Sequence, residues 1–395
     1  MASESLTLVV NPGSASRKYA IFANGYKWAN INFEFVDNKI TGKIEHAGQQ
    51  HPIICDDANL GTVSHHIMPS LLEHNVISDT DKITTIGIRI VAPSRRFMQD
   101  QLITDEVEIA LDALHEETPL HIRAALLEIR QLKTCFSGVP IIAISDSAFH
   151  ASKPARARHY GVDVALVEKF GIERYGYHGL SVGSVVRYLT EHEMLLPNTI
   201  VCHLGSGSSV TAVGNGESVD NTMGYSPLEG LMMATRSGSI DISAALVIRR
   251  ELHLTDDGLE QYLDKKSGLL GVSGSSDDIR QLLTSEEKGD ERAKLALDIF
   301  VYRIQQAIGQ MVASLGGVDC LIFTATIGER SSIIRSRVLD RLGYLGFTYD
   351  PRINEQTFEP TDVANIAITS GKPIFVVSTD EAAEIARRTE QYMQG

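Results

Sequence analysis

Four side chains sit where their chemistry would be wasted unless a charged group meets them. In IGIRIVAP, Arg89 interrupts an apolar run, an expensive place for a guanidinium unless a carboxylate or phosphate accepts it. In AISDSAFH, Asp146 closes a run that reads as a strand, and open α/β sheets gather ligands at the carboxyl ends of their strands. In ERYGYHGLS, His178 lies between Tyr177 and Gly179, and in SPLEGLMMATRSGSID, Arg236 precedes Ser237-Gly238. A salt bridge remains the structural alternative for either arginine, and a packed core position for the histidine. Beside them stand two passages of small residues, NPGSASRKY from Asn11 and HLGSGSSV from His203. Tight turns of Gly and Ser let backbone N–H groups approach an anion with no Cβ in the way, although such a turn also serves as a plain hairpin. Two arginines, an aspartate, a histidine and two such turns make a set suited to phosphoryl transfer. That reaction needs in-line positioning, neutralised phosphoryl oxygens and a carboxylate for Mg²⁺ or for the nucleophile. The chain has no GxxxxGKS/T loop and lacks the DFG and HRD elements of protein kinases.

These residues must be positioned by a large framework. At 395 residues two domains are expected, and 43% hydrophobic with 22% charged residues is an ordinary globular composition. The net charge of -14, with no basic run, argues against nucleic acid or a membrane surface as partner. Cys55, Cys135, Cys202 and Cys320 are scattered, without the paired spacing of a zinc site or a redox dithiol. No signal peptide or apolar stretch of spanning length is apparent, so a reducing cytoplasm is the expected compartment.

The two small-residue passages are also equivalent in their surroundings. Gly13 and Ser14 match Gly205 and Ser206, Ala20 matches Ala212, and Asn24-Gly25 matches Asn215-Gly216, about half the chain apart. Leu6–Val10 and Lys18–Phe22 read as a hairpin, repeated by Thr199–His203 and Val210–Val213. Further core strands are expected over 84–92, 139–145 and 318–324. Leu297, Val301, Ile304, Ile308, Met311 and Leu315 recur at helical steps, and Gly316-Gly317 should stop that helix. Strands alternating with helices predict an α/β fold with covered sheets, two halves on one plan and a central cleft.

Through NPGSASRKY, GIRIV, PLH, SDSAFH, RYGYHGLS, HLGSGSSV, MGYSPLEGLMMATRSGSID, KKSGLLGVSG, FTATIGE and STDE, in that order, the chain resembles the acetate kinase family. That family lies within the wider group of actin-like, sugar kinase and heat-shock ATPases. The resemblance implies a duplicated ribonuclease-H-like fold, with 1–147 plus 383–395 as an acceptor lobe and 148–382 as a nucleotide lobe. It implies transfer of the γ-phosphoryl group of ATP to acetate, giving acetyl phosphate and ADP, by a homodimer. It assigns Arg89 and Arg236 to the carboxylate and the moving phosphoryl group, His178 to a phosphoryl oxygen and Asp146 to Mg²⁺ and its waters or the attacking carboxylate. Asn11 and Glu381 would serve the metal, Mg²⁺ or alternatively Mn²⁺. Val91, Leu120, Tyr177 and Pro227 would enclose the acyl methyl group. Lys18, His203, Gly205, Ser206, Gly207 and Ser208 would contact nucleotide phosphates, and Asp278, Ile279, Arg280, Thr326, Ile327, Gly328 and Arg330 would line the adenosine site. Departures from the family pattern are Ile88 and Ala92-Pro93-Ser94 at the acyl rim, Ser206 in place of Asn, Thr326 in place of Gly and Arg330 in place of Asn. The last two predict altered donor use: weak ATP binding, another nucleotide, or pyrophosphate. A kinase for propionate or another short acid is the nearer alternative, and an actin-like binding protein without turnover the farther one.

Overall fold

Continuous apolar runs become central strands here because each is buried on both faces. In the computed structural model, which describes residues 5–13, 16–36, 39–57, 59–117 and 119–394 without the side chains of 115–121, the chain divides into two units. They are Met1–Ala148 with Asp380–Gly395, and Phe149–Thr379. The sequence reading drew the joints at 147/148 and 382/383. The second falls earlier because the Asp380 carboxylate accepts from Ala383 N at 2.8 Å, capping a helix that already begins at Glu381.

Eight strands form the sheet of the first unit: β1 (Ser5–Pro12), β2 (Ser16–Ala23), β3 (Tyr26–Val36), β4 (Lys39–His46), β5 (Gln49–Ile53), β6 (Lys82–Ile90), β7 (Gln101–Leu102) and β8 (Ile141–Ser145). Their order is β5-β4-β3-β2-β1-β6-β8-β7. The second sheet holds β9 (Asn198–Leu204), β10 (Ser208–Gly214), β11 (Glu217–Asn221), β12 (Cys320–Thr324), β13 (Ala364–Asn365) and β14 (Ile374–Val376), in the order β11-β10-β9-β12-β14-β13. The run β3-β2-β1-β6-β8 therefore has its counterpart in β11-β10-β9-β12-β14. Both runs are antiparallel across the first three strands and parallel across the last three. The likeness extends to the turns, where Asn24-Gly25 and Asn215-Gly216 all have positive φ, as a two-residue hairpin of primed type requires.

Side-chain alternation decides what each face meets. In β9 and β12, Ile200, Cys202, Leu204, Leu321 and Phe323 pack on the helix Glu291–Leu315, while Val201, Cys320 and Ile322 pack on the helix Gly179–Glu191. In β6, Ile86, Ile88 and Ile90 enter the first unit's core, so Gly87 and Arg89 face the other way, toward the C-terminal helix Glu381–Gln394. Only glycine fits at 87, because a Cβ there would lie 2.0 Å from Thr389 Oγ1. Among the described residues no helix is long and apolar enough to cross a membrane.

Candidate active site

The close approach at Gly87 brings the start of the C-terminal helix near Arg89, and the strand ends supply the rest of the first unit's cluster. Arg89 Nη2 donates to Asp146 Oδ2 at 3.0 Å, and its Nη1 lies 3.5 Å from Glu381 Oε2 and 3.4 Å from Asn11 Oδ1. Asn11 Nδ2 donates to Glu381 Oε2 at 3.1 Å. Asp146 is wholly buried just past β8, tied by its N–H to Ile90 O at the end of β6. Burial opposes the charge of Arg89, but the negative charges of Asp146 and Glu381 and the Asp146 hydrogen bond outweigh it, holding the guanidinium protonated above its usual range. Arg89 Nε is buried and has no acceptor among the described residues. A half-buried guanidinium with one buried N–H unsatisfied is a place for an anion.

Of the other sequence candidates in this unit, Lys18 is exposed on β2 with its Cα paired to that of Asn11, and Val91 is half-buried just after β6. Ser14 and the Leu120 side chain lie outside the described residues. The first turn is held from beneath by a residue the motifs did not single out. Arg17, 4% exposed, donates to Gly13 O and Ser16 O and pairs with fully buried Glu128 at 3.0 Å, whose other oxygen accepts from Tyr19 at 2.7 Å.

In the second unit the chain before His178 is pinned. Tyr175 N and Gly176 N both donate to Gly224 O, and Tyr177 O lies 3.0 Å from His150 Nε2. His178 follows in a left-handed conformation, φ 63°, at the cap of the helix Gly179–Glu191. Its Nδ1 lies 2.9 Å from Ser209 Oγ, and its ring stacks on His203 at 4.0 Å, which in turn meets Ser181 Oγ at 2.7 Å. In the tautomer where Ser209 donates to Nδ1, the imidazole carries its proton on Nε2. The turn between β9 and β10 closes through Gly205 N to Gly207 O at 3.0 Å, and Ser208 Oγ is spent on Gly205 O. A Cβ at Gly207 would come within 3.1 Å of His178 Nε2 and 3.4 Å of Arg236 Nη1. Two hydrogen-bond donors thus flank one small space over a glycine backbone.

Arg236 is aimed by its neighbours. Asp264, 2% exposed, takes its Nε at 2.6 Å, and the loop is tied to the turn through Ala234 N to Ser206 O at 3.1 Å. The helix Ala325–Arg330 starts at the same sheet end: Ala325 Cβ would lie 3.7 Å from a Cβ on Gly205, and Gly328 lies against Cys202 O. Thr326 is exposed, whereas Arg330 is engaged by Glu359 and lies 5.9 Å from the Phe358 ring. Asp278 caps the helix Ile279–Glu287 and pairs with Arg280, whereas the Ile279 side chain packs into the core, leaving only its backbone to face a ligand. Tyr177 is buried with its hydroxyl donated to Tyr225 O at 2.6 Å, and Pro227 is buried. Sequence reasoning missed Asp264, which aims the arginine, and counted Ser209, which meets the histidine, only as part of the phosphate turn. Ser209 was visible as a hydroxyl two residues past Gly207, but Asp264 carried no local signal.

The sequence profile of the acetokinase family matches residues 6–387. The chain belongs to that family. An acetate kinase of Clostridium botulinum is 36% identical over 97% of this chain and 98% of its own length, and one of Bacillus cereus is 36% identical over 96% and 97%. The crystal structure of Porphyromonas gingivalis acetate kinase superposes with a TM-score of 0.87 at 30% identity, covering 98% of this chain and all of that one. A propionate kinase from Francisella tularensis gives 0.89 at 31% identity, over 98% of this chain and 99% of its own. Membership makes the protein a phosphotransferase with a carboxyl acceptor, on an actin-like, two-domain α/β fold.

Proposed function

We propose that the protein is an acetate kinase, transferring the γ-phosphoryl group of ATP reversibly and in line to acetate, with acetyl phosphate and ADP as products. The observation that carries this reading is the placement of His178 Nε2 and Arg236 Nη1 against Gly207. In the transition state, charge spreads over the equatorial oxygens of the moving group. An N–H of His178 and the guanidinium of Arg236, each held by its own buried partner, supply fixed donors for that charge without reorganising. The 205–207 turn and His203 take the nucleotide phosphates.

Arg89 takes the acid's carboxylate, its uncommitted Nε–H supporting this role. Of the residues that the resemblance gives to the acyl methyl group, Tyr177 and Pro227 are buried in the second unit and Val91 is half-buried in the first. Asn11, Asp146 and Glu381 offer only amide and carboxylate oxygens, a hard donor set that fits Mg²⁺ held largely through water and substrate phosphate. Mg²⁺ there would neutralise phosphate oxygens. Four free thiols support a reducing cytoplasm. A second reading concerns the donor. Thr326 is exposed on the helix that starts beside the phosphate turn, a β-branched side chain beside the expected nucleoside, which favours a donor other than ATP.

A coupled assay over acetate, propionate and butyrate with ATP, GTP and pyrophosphate tests both readings. Acetate with ATP should give the highest kcat/KM, and Arg236→Ala should lower kcat by about 10²–10³ while changing the KM for acetate much less. Equal rates on propionate would remove acetate as the distinguishing substrate, since pockets separate one methylene by only about 1–3 kcal/mol. Faster turnover with pyrophosphate would establish the second reading.

A further inference from the structure

A second cluster of ligating side chains lies in the first unit, among residues that the phosphoryl chemistry does not use. It forms in the connection between β5 and the helix Ile67–Glu73, where Cys55 and Asp57 are followed by a short helical turn, Val63–His66. Cys55 Sγ lies 3.1 Å from Asp57 Oδ2, and His66 Nε2 lies 2.7 Å from the same oxygen. The three ligand atoms fall within 4.8 Å of one another, and all three side chains are half-buried, so an ion can reach them from solvent.

We propose that Cys55, Asp57 and His66 bind one zinc-class divalent ion. One thiolate, one imidazole and one carboxylate are the mixed sulfur, nitrogen and oxygen donors that Zn²⁺ accepts, whereas Mg²⁺ prefers oxygen alone. Tetrahedral coordination with ordinary zinc bond lengths sets the ligand atoms about 3.4–3.6 Å apart. The trio meets that geometry by a small opening: two short hydrogen bonds centred on Asp57 widen by several tenths of an ångström as the ion enters and the thiol proton leaves. A fourth position remains for solvent.

The surroundings hold two of the ligands in place. Thr62 donates its hydroxyl to Asp57 Oδ1 at 2.5 Å, fixing the carboxylate from its other side. The His66 ring packs between the fully buried Phe33, at 5.9 Å, and the His65 ring, at 4.0 Å. Orientation of this kind is what outer partners provide in metal sites. The ion would fasten the long connection after β5 to the core through His66 and Phe33.

The test uses the full chain, stripped with a chelator and titrated without substrates, so its result does not depend on the kinase reading. Zn²⁺ competed against a chromophoric chelator should bind at one equivalent per chain, unaffected by excess Mg²⁺. Co²⁺ should give a thiolate charge-transfer band together with the visible absorption of a tetrahedral ion. Cys55→Ser should abolish that band and weaken Zn²⁺ binding at least tenfold, and His66→Gln should weaken binding while keeping the band. Cys135→Ser, which removes a thiol outside the cluster, should change neither. Absence of the band in the unaltered protein, or equal Zn²⁺ affinity with and without Cys55, would overturn the proposal.

Discussion

Arg17 shows at the level of one residue how the first turn is held. Its guanidinium and Glu128 are both buried, and the pair is completed by Tyr19 and by the Gly13 and Ser16 carbonyls. Burial pushes the Glu128 carboxyl up, so the charged form depends on its partners. Replacing Arg17 with Met strands that carboxyl and should lower unfolding free energy by about 3–5 kcal/mol in denaturant titration. Adding Glu128→Leu should recover part of the loss, since it removes the stranded carboxyl, while the Tyr19 hydroxyl and the Gly13 and Ser16 carbonyls still lose their partners. A single Arg17→Met variant as stable as the parent would refute this account. The signal was present in the sequence: the two-residue period of β2 puts Arg17 on the face of Tyr19 and sends Lys18 outward. Its partner stands 111 positions away, however, and no spacing rule points there.

Among the elements, the loop before His178 is built over a buried lysine. Lys153, 2% exposed, donates to Arg174 O at 2.7 Å, while the Arg174 side chain binds Glu229 and the Asn221 carbonyl. Burial and the neighbouring Arg174 charge bring Lys153 down from its ordinary 10.5 to about 8, against the opposing pull of Asp220 and Glu229. The folded value lies below the unfolded one, so between these two pH values the unfolded chain binds the more protons and stability rises with pH through this group. Subtracting the stability of Lys153→Met from that of the parent across pH 8 to 10.5 should therefore give a rising curve. A flat difference would show that the lysine pays no charge penalty in the fold. At this scale the sequence was informative where periodicity is strong. The apolar runs at 84–92, 139–145 and 318–324 became β6, β8 and β12, and the helix ending at Leu315 stops at Gly316, φ 75°. The short strands β7 and β13 carry too few residues to show any period, and the pinning of the loop before His178 by Gly224 O and His150 depends on contacts far along the chain.

At the scale of the whole molecule, duplication explains most of what composition left open. Five strands in each unit share order and direction, and each small-residue turn sits at the same hairpin of its sheet. Additions to this shared core mark where the halves have diverged, with β4 and β5 extending the first sheet and the helices over 242–265 enlarging the second unit. One such helix, Ile242–Glu251, carries an apolar face that its own unit does not cover. Ile242 is 76% exposed, and Leu246 and Val247, one turn further on, are also exposed, as are Ile240 and Leu252 at the two ends. Soluble monomers seldom leave contiguous apolar surface of this kind open, and a self-complementary patch is how two-fold dimers form. We therefore expect the homodimer that the sequence resemblance implies to close through this helix. Sedimentation velocity should give a dimer for the parent chain and a monomer for Leu246→Glu combined with Val247→Glu. Circular dichroism should be unchanged between them, because neither side chain belongs to a core cluster. A parent that sediments as a monomer would refute the dimer, and a dimeric double variant would move the contact to another face.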